Sequence, residues 1–455
     1  MDMDLEKAGT GWFEVLPLNL QKFETALTEP RFMVTLVGQG KRFMITPKLA
    51  DVLVQLRQKK SAEEAAQNLS LLWQQDVSSE LLRHIIEQQL LPRGMVHRAG
   101  EAQPVTISAM DSGRQKPFYE RLLEGKFRWR LMSHSLVGKI GAPLTIFYQP
   151  LSVAMAILLI VATRWLLYTG VDRHFVRQLL IQFTPNEYLL SFGLLIVVVL
   201  IHEFGHAAAQ LRFELPPGGI GFQLYHYIPA FFANVDASWR LKPSQRMVVD
   251  IGGIYFQSIA ASVLFLIYLQ THALPVLSAV LASDVLSLIA LNPFLRFDGY
   301  WLVADVFAVP NLRDLSKKLW GQVRARFFGR NRQAPNTALL SRTKTLLVLS
   351  YGLLRNCFWL LLLISITLNI PALIASTGKI LSRLSVLELE GLRTGNIALI
   401  SASLIRLGLF TLMVLTFSTI LAGSVLRVVK WFWSSIGKAR PPQTTSPLNS
   451  VGQVS

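Results

Sequence analysis

Six long apolar runs, at 144–169, 188–210, 249–269, 273–297, 345–370 and 397–425, leave this chain few folds to choose from. Each is near the roughly 20 residues a helix needs to cross a bilayer's hydrocarbon core. Within that core every backbone polar group must be paired internally, so runs of this length select helices. With 51% hydrophobic and only 16% charged residues, the composition agrees. The expectation is a mainly α, polytopic membrane protein with about six transmembrane helices, carrying a small N-terminal winged-helix-like α+β domain.

The formal charge of +17 is explained by where the cations lie. The loop 298–344 carries Arg313, Lys317, Lys318, Arg324, Arg326, Arg330, Arg332, Arg342 and Lys344, the largest cationic run of the chain. Such a loop belongs on the cytoplasmic face, and with it the N-terminal domain and the C-terminal tail. Anionic lipid headgroups are the partner this charge implies. Nucleic acid is not expected: in the helix that would read DNA, Glu80 and Glu87 offset Arg83. The lone cysteine, Cys357, excludes an intrachain disulfide and a CxxC metal site. The acidic start MDMDLEKAGT lacks the basic end and short apolar core of a cleavable signal.

Residues 12–98 read as a small domain. "GQGK" between Phe32–Val37 and Arg42–Ile45 signals a hairpin, and Thr46-Pro47 opens a helix to about Gln58. "SAEE" at Ser61–Glu64 fits a capping box for a second helix; a third begins after Ser78 and stops at Pro92. Residues 99–143 read as a linker and an interfacial amphipathic segment, 144–315 as the membrane core, 316–430 as a basic loop with two further spans, and 431–455 as a disordered tail.

The second apolar run ends in "VVVLIHEFGHAAAQ". On a helix His202 and His206 are four residues apart and share a face, where both imidazoles reach one zinc ion; Glu203 beside them is placed to act as general base on metal-activated water. Burying two histidines and a carboxylate near lipid for packing alone would be costly. A catalytic zinc takes three protein ligands and keeps one open position. "LNPFLRFDGYW" offers Asp298 as the third, at similar membrane depth, with Asn292-Pro293 breaking the helix and placing the Asn amide beside the site. The competing readings are a helix-ending acid at Asp298 and His226, in "QLYHYIPAFF", as the third ligand. Asp284 lies fourteen residues from Asp298, ~21 Å along a continuous helix, and reads as a helix–helix contact instead.

"HEFGH" and "NPFLRFDG" together resemble the two motifs of the site-2 protease family of intramembrane zinc metalloproteases. "IPAFFANVDASWRLKPSQRMVVDIGGIYFQ" and "NPFLRFDGYWLVADVFAVPNLR" narrow the resemblance to its bacterial putative peptide zinc metalloprotease branch, over roughly residues 190–315. The resemblance implies zinc on His202, His206 and Asp298, Glu203 as base, Asn292 near the scissile peptide, and a multi-pass protein of the bacterial inner membrane. Residues 30–98, through "RFMITPKLADVLVQLRQKKSAEEAAQNLS", are similar to the winged-helix chaperone of the pyrroloquinoline quinone precursor peptide, which implies leader-peptide recognition.

The function expected is a zinc metalloendopeptidase maturing or helping to export a ribosomally made peptide, with a separate exporter or adaptor as partner. The substrate strand would pair along Tyr227–Ala237, and a leader would add to Phe32–Val37. Cleavage of a transmembrane regulator and a non-enzymatic role in a peptide exporter are the alternatives.

Overall fold

Hydroxyl side chains start the helices of the N-terminal domain. In the computed structural model, which describes residues 13–25, 30–36, 42–58, 61–98, 128–171, 183–225, 228–327 and 340–436, Thr46 caps α1 (Pro47–Arg57), Ser61 caps α2 (Ala62–Trp73) and Ser78 caps α3 (Ser79–Ile85). Each accepts a hydrogen bond from the backbone N–H three residues on, satisfying a donor the helix itself leaves open. A π-helical turn carries α3 on to Leu90.

Strands β2 (Leu18–Phe23), β3 (Arg31–Leu36) and β4 (Arg42–Ile45) form an antiparallel sheet in that order, and β1 (Phe13–Val15) pairs with β5 (Val96–Arg98). Val34, Ile45, Leu53, Leu69, Leu82 and Ile86 fill the core between sheet and helices. The expected hairpin is there, although its "GQGK" turn lies outside the described residues. The strand expected to accept a leader does not fit that role. β3 is central and paired on both sides, because β2 covers the edge that sequence periodicity left open.

Among the described residues, five helices are long and apolar enough to cross a membrane: α5 (Pro150–Gly170), α6 (Pro185–Arg212), α7 (Pro243–Thr271), and segments Arg342–Ala372 of α11 (Arg342–Thr394) and Ile397–Thr416 of α12 (Ile397–Ile436). The run expected at 273–297 forms a shorter apolar helix, α8 (Leu274–Ala290), 17 residues long. Two shorter helices, α9 (Asp298–Val306) and α10 (Leu312–Phe327), follow it.

Three expected boundaries shift. Residues 128–143, expected as an interfacial amphipathic segment, begin with a strand: β6 (Arg128–Met132) joins β7 (Ile220–Tyr225) and β8 (Ile228–Ala233) in a third antiparallel sheet, and α4 (His134–Leu144) follows it; the rest of that segment, 99–127, lies outside the described residues. The expected loop after residue 370 continues as helix through Pro371 to Thr394. Residues 431–436 of the expected tail close α12, the remainder lying outside the described residues.

Small residues bring the membrane helices together. A Cβ on Gly205 of α6 would collide with the Gly252 carbonyl of α7, and Tyr148 Oη donates to the Gly205 carbonyl at 2.8 Å, so these two helices touch backbone to backbone. Asp284 makes the helix contact its position predicted: Arg164 Nε donates to it at 3.0 Å and Tyr168 Oη at 2.8 Å, tying α5 to α8. The N-terminal domain meets the core at Phe23, whose ring lies 5.7 Å from that of Trp239 and 4.9 Å from the Arg246 guanidinium.

Candidate metal centre

α6 begins at a capping box of Thr184 and Glu187 and carries His202, Glu203 and His206 near its other end, all three buried. Helical spacing aims both histidines at α7. There His206 Nδ1 donates to the Val249 carbonyl at 2.7 Å, and His202 Nδ1 donates to Gln257 Oε1 at 2.7 Å. The amide of Gln257 is itself oriented, since its nitrogen donates to the Ser283 carbonyl at 2.9 Å. A carbonyl oxygen can only accept, so both imidazoles carry a proton on Nδ1, which leaves Nε2 as the position for a ligand.

Asp298 arrives by a sharp reversal. α8 ends before Asn292-Pro293, where proline has no N–H to continue the ladder, and Asn292 Oδ1 accepts from Phe294 N–H at 2.9 Å to brace the turn. Tyr351 Oη holds the Pro293 carbonyl at 3.2 Å, and the Phe294 ring packs 5.1 Å from that of Phe358. The chain then doubles back so closely that a Cβ on Gly299 would strike the Leu291 carbonyl. Asp298 is therefore the first residue of α9 rather than the end of the preceding span, and its carboxylate faces the histidines.

Asp298 Oδ2 lies 3.0 Å from His202 Nε2 and 3.6 Å from His206 Nε2, and the two Nε2 atoms are 3.1 Å apart. Burial alone would push the Asp298 carboxyl up, but the imidazoles of His206 and His202 outweigh it and hold it below the ordinary carboxylate range. Donor atoms this close together need a positive charge among them, supplied by a protonated imidazole or by a metal cation. Two neutral imidazoles and a carboxylate are the donor set of a catalytic zinc site. Among the described residues these three form the one group of at least three such side chains close enough to hold a metal, all donor atoms lying within 4.8 Å of one another. His226, the rival third ligand, lies outside the described residues.

Gly253 completes the cavity. A Cβ there would collide with Nε2 of both histidines, so the absence of a side chain opens the space in which the donors converge. Glu203 borders that space and faces the Ala233 N–H of β8, the edge strand of the third sheet. Gln257, Gly253 and the Val249 carbonyl were missed in the sequence. A glutamine in the middle of an apolar span was the one available signal.

No family model, no curated protein and no solved structure matches this chain.

Proposed function

We propose that the protein is an integral-membrane zinc metalloendopeptidase of the site-2 protease kind, cleaving a peptide or membrane-associated precursor during maturation or export of a ribosomally made peptide. The observation that carries the reading is the convergence of His202, His206 and Asp298 with a buried glutamate beside them, next to the edge of a β-sheet. Zinc in such a site supplies a Lewis acid that polarises a carbonyl and lowers the pKa of water.

The chain's own groups do the rest. Gln257 and Val249 fix the histidine tautomers. Glu203 takes a proton from the attacking water and returns it to the leaving amine. β8 offers its outer edge to a substrate in extended form, which exposes the scissile bond; substrate pairing there would displace the Ala233 N–H from Glu203 and free the base. Asn292 already uses its amide oxygen within its own turn, leaving the amide nitrogen to donate to the substrate backbone. The N-terminal domain is the element that favours a leader-bearing precursor over a transmembrane regulator. A scaffold for an exporter would have no use for Glu203.

The test is metal analysis of the purified protein together with mass spectrometry of candidate precursors. Wild type should hold about one zinc. His202→Ala, His206→Ala and Asp298→Ala should lose it, whereas Glu203→Ala should keep zinc and lose cleavage. Cleavage by Glu203→Ala at the wild-type rate would refute the assignment.

A further inference from the structure

A second site lies away from the metal centre, where α10 meets α11. The two helices are pressed together at Gly352, where an added Cβ would collide with the Ser316 hydroxyl, and Trp320 Nε1 donates to the Leu349 carbonyl at 3.0 Å. Beside that contact the two helices border a cavity of about 520 Å³, walled by Trp320 and lined by Lys317, Arg324 and Arg355. Gly321 also lines it and has nothing within 4 Å of where a Cβ would stand, so the missing side chain is part of the opening.

The charge around this cavity is one-sided. Positions 313, 317 and 324 fall on a single face of α10, aligning Arg313, Lys317 and Arg324 in one stripe. Arg355 approaches from α11, 8% exposed, its Nη2 donating to the Asn356 amide and its Nη1 without a hydrogen-bond partner. Among the described residues the only carboxylate paired with any of these four cations is Asp314, which meets Lys317 at 3.4 Å on the exposed side. Among the described residues no acidic side chain lines the cavity. Like charges gathered around a partly buried guanidinium repel one another, and that arrangement persists at low cost only with a counter-anion.

We infer that this cavity binds a phosphate group, which Arg324, Arg355 and Lys317 would hold by charge-assisted hydrogen bonds. Guanidinium groups match phosphate oxygens in geometry, and the lysine adds a mobile point charge. The chemistry is shared by a phospholipid headgroup and by a phosphate compound in water. The surroundings favour the lipid: Arg355 belongs to an apolar segment long enough to span, and Leu353, Leu354, Leu360 and Leu361 around it are exposed to whatever surrounds that helix. A headgroup in the cavity would leave acyl chains against those leucines. This inference does not depend on the metal centre or on peptidase activity.

The experiment uses the full-length protein in nanodiscs of phosphatidylcholine with or without phosphatidylglycerol, and native mass spectrometry to count lipids retained after release. Inorganic phosphate is titrated separately against the phosphatidylcholine sample, read by ³¹P line broadening. Wild type should retain phosphatidylglycerol over phosphatidylcholine, and Arg324→Gln and Arg355→Gln should each weaken retention about tenfold, as expected on losing one charge-assisted contact. Gly321→Leu fills the cavity with every charge in place and should weaken it as much. Should Arg355→Gln fail to fold, the exposed Arg324 and the open Gly321 still decide the matter. Phosphate broadening that is lost in the same variants, without lipid selectivity, assigns the cavity to a soluble phosphate compound. Equal retention of both lipids with no phosphate binding overturns the site, and so does selectivity that survives Gly321→Leu, because the charge would then act as a diffuse surface.

Discussion

At the scale of single residues, the candidate metal centre depends on one side chain outside the donor set, Gln257, and on one that is missing, at Gly253. Gln257 fixes the His202 tautomer only because Ser283 has first fixed the amide. Gln257→Ala should keep the zinc stoichiometry at saturating metal while lowering affinity about 10- to 100-fold, the usual cost of losing an outer-shell partner. A competition titration against a chromogenic chelator measures this, and unchanged affinity would mean the ring is held by packing alone. Gly253→Ala is the sharper test. Its methyl would occupy the point where the histidine nitrogens converge, so zinc should be lost at every concentration the chelator assay reaches. Folding can be checked independently by the thermal transition of the metal-free protein. Zinc retained in Gly253→Ala would place the ion elsewhere.

At the scale of elements, the edge of β8 is where chemistry and backbone meet. Asn234 N–H bonds inward to the Gly219 carbonyl while Ala233 N–H faces Glu203, so alternation turns the backbone groups of Phe231 away from β7 as well. Pro229 falls on the same outward set, where proline costs no ladder bond. Phe231→Pro should therefore leave the sheet and zinc content intact yet raise KM for a peptide substrate, whereas Phe231→Ala should change KM less; equal effects would assign the loss to the side chain. Little of this strand arrangement was legible in the sequence. His202, Glu203 and His206 follow from helical spacing, Asp298 from its place behind a helix-breaking Asn-Pro, and the caps at Thr46, Ser61 and Ser78 from local preference. The pairing of β6 with β7 joins segments some ninety residues apart, and nothing local in Arg128–Met132 calls for that partner. Nor does local sequence place β2 against β3, and for that reason the strand expected to be an open edge turned out to be central. Pro371 reads as a helix end but is carried within a helix of 53 residues.

At the scale of the whole molecule, Phe23 joins the N-terminal domain to the membrane core among the described residues. Phe23 is 3% exposed, yet it is not part of the domain's own core cluster; its ring meets Arg246 and Trp239 of the membrane core instead. Arg246 in turn donates through Nε to Asp305 at 2.8 Å, and Asp305 lies seven residues along the helix that opens with Asp298. Trp239 extends the contact to Trp301, 6.1 Å away on the same helix. Docking of the domain thus bears on the element that carries Asp298, although Phe23 itself is remote from the donors. Phe23→Ala removes a ring contact and a cation–π contact, together about 1–2 kcal/mol of docking free energy. The domain's core does not include that ring and should stay folded. Hydrogen exchange should accelerate in β2 and in the Asp236–Arg240 turn while the protection of α1 and α2 is kept and zinc content is unchanged. If recognition of a leader needs the docked arrangement, cleavage of the full precursor by Phe23→Ala should fall towards that of a variant lacking residues 1–100, with a leaderless peptide cleaved as before. Exchange that rises throughout the domain would show that Phe23 supports its fold, and exchange that does not change at all would show that other contacts hold it in place.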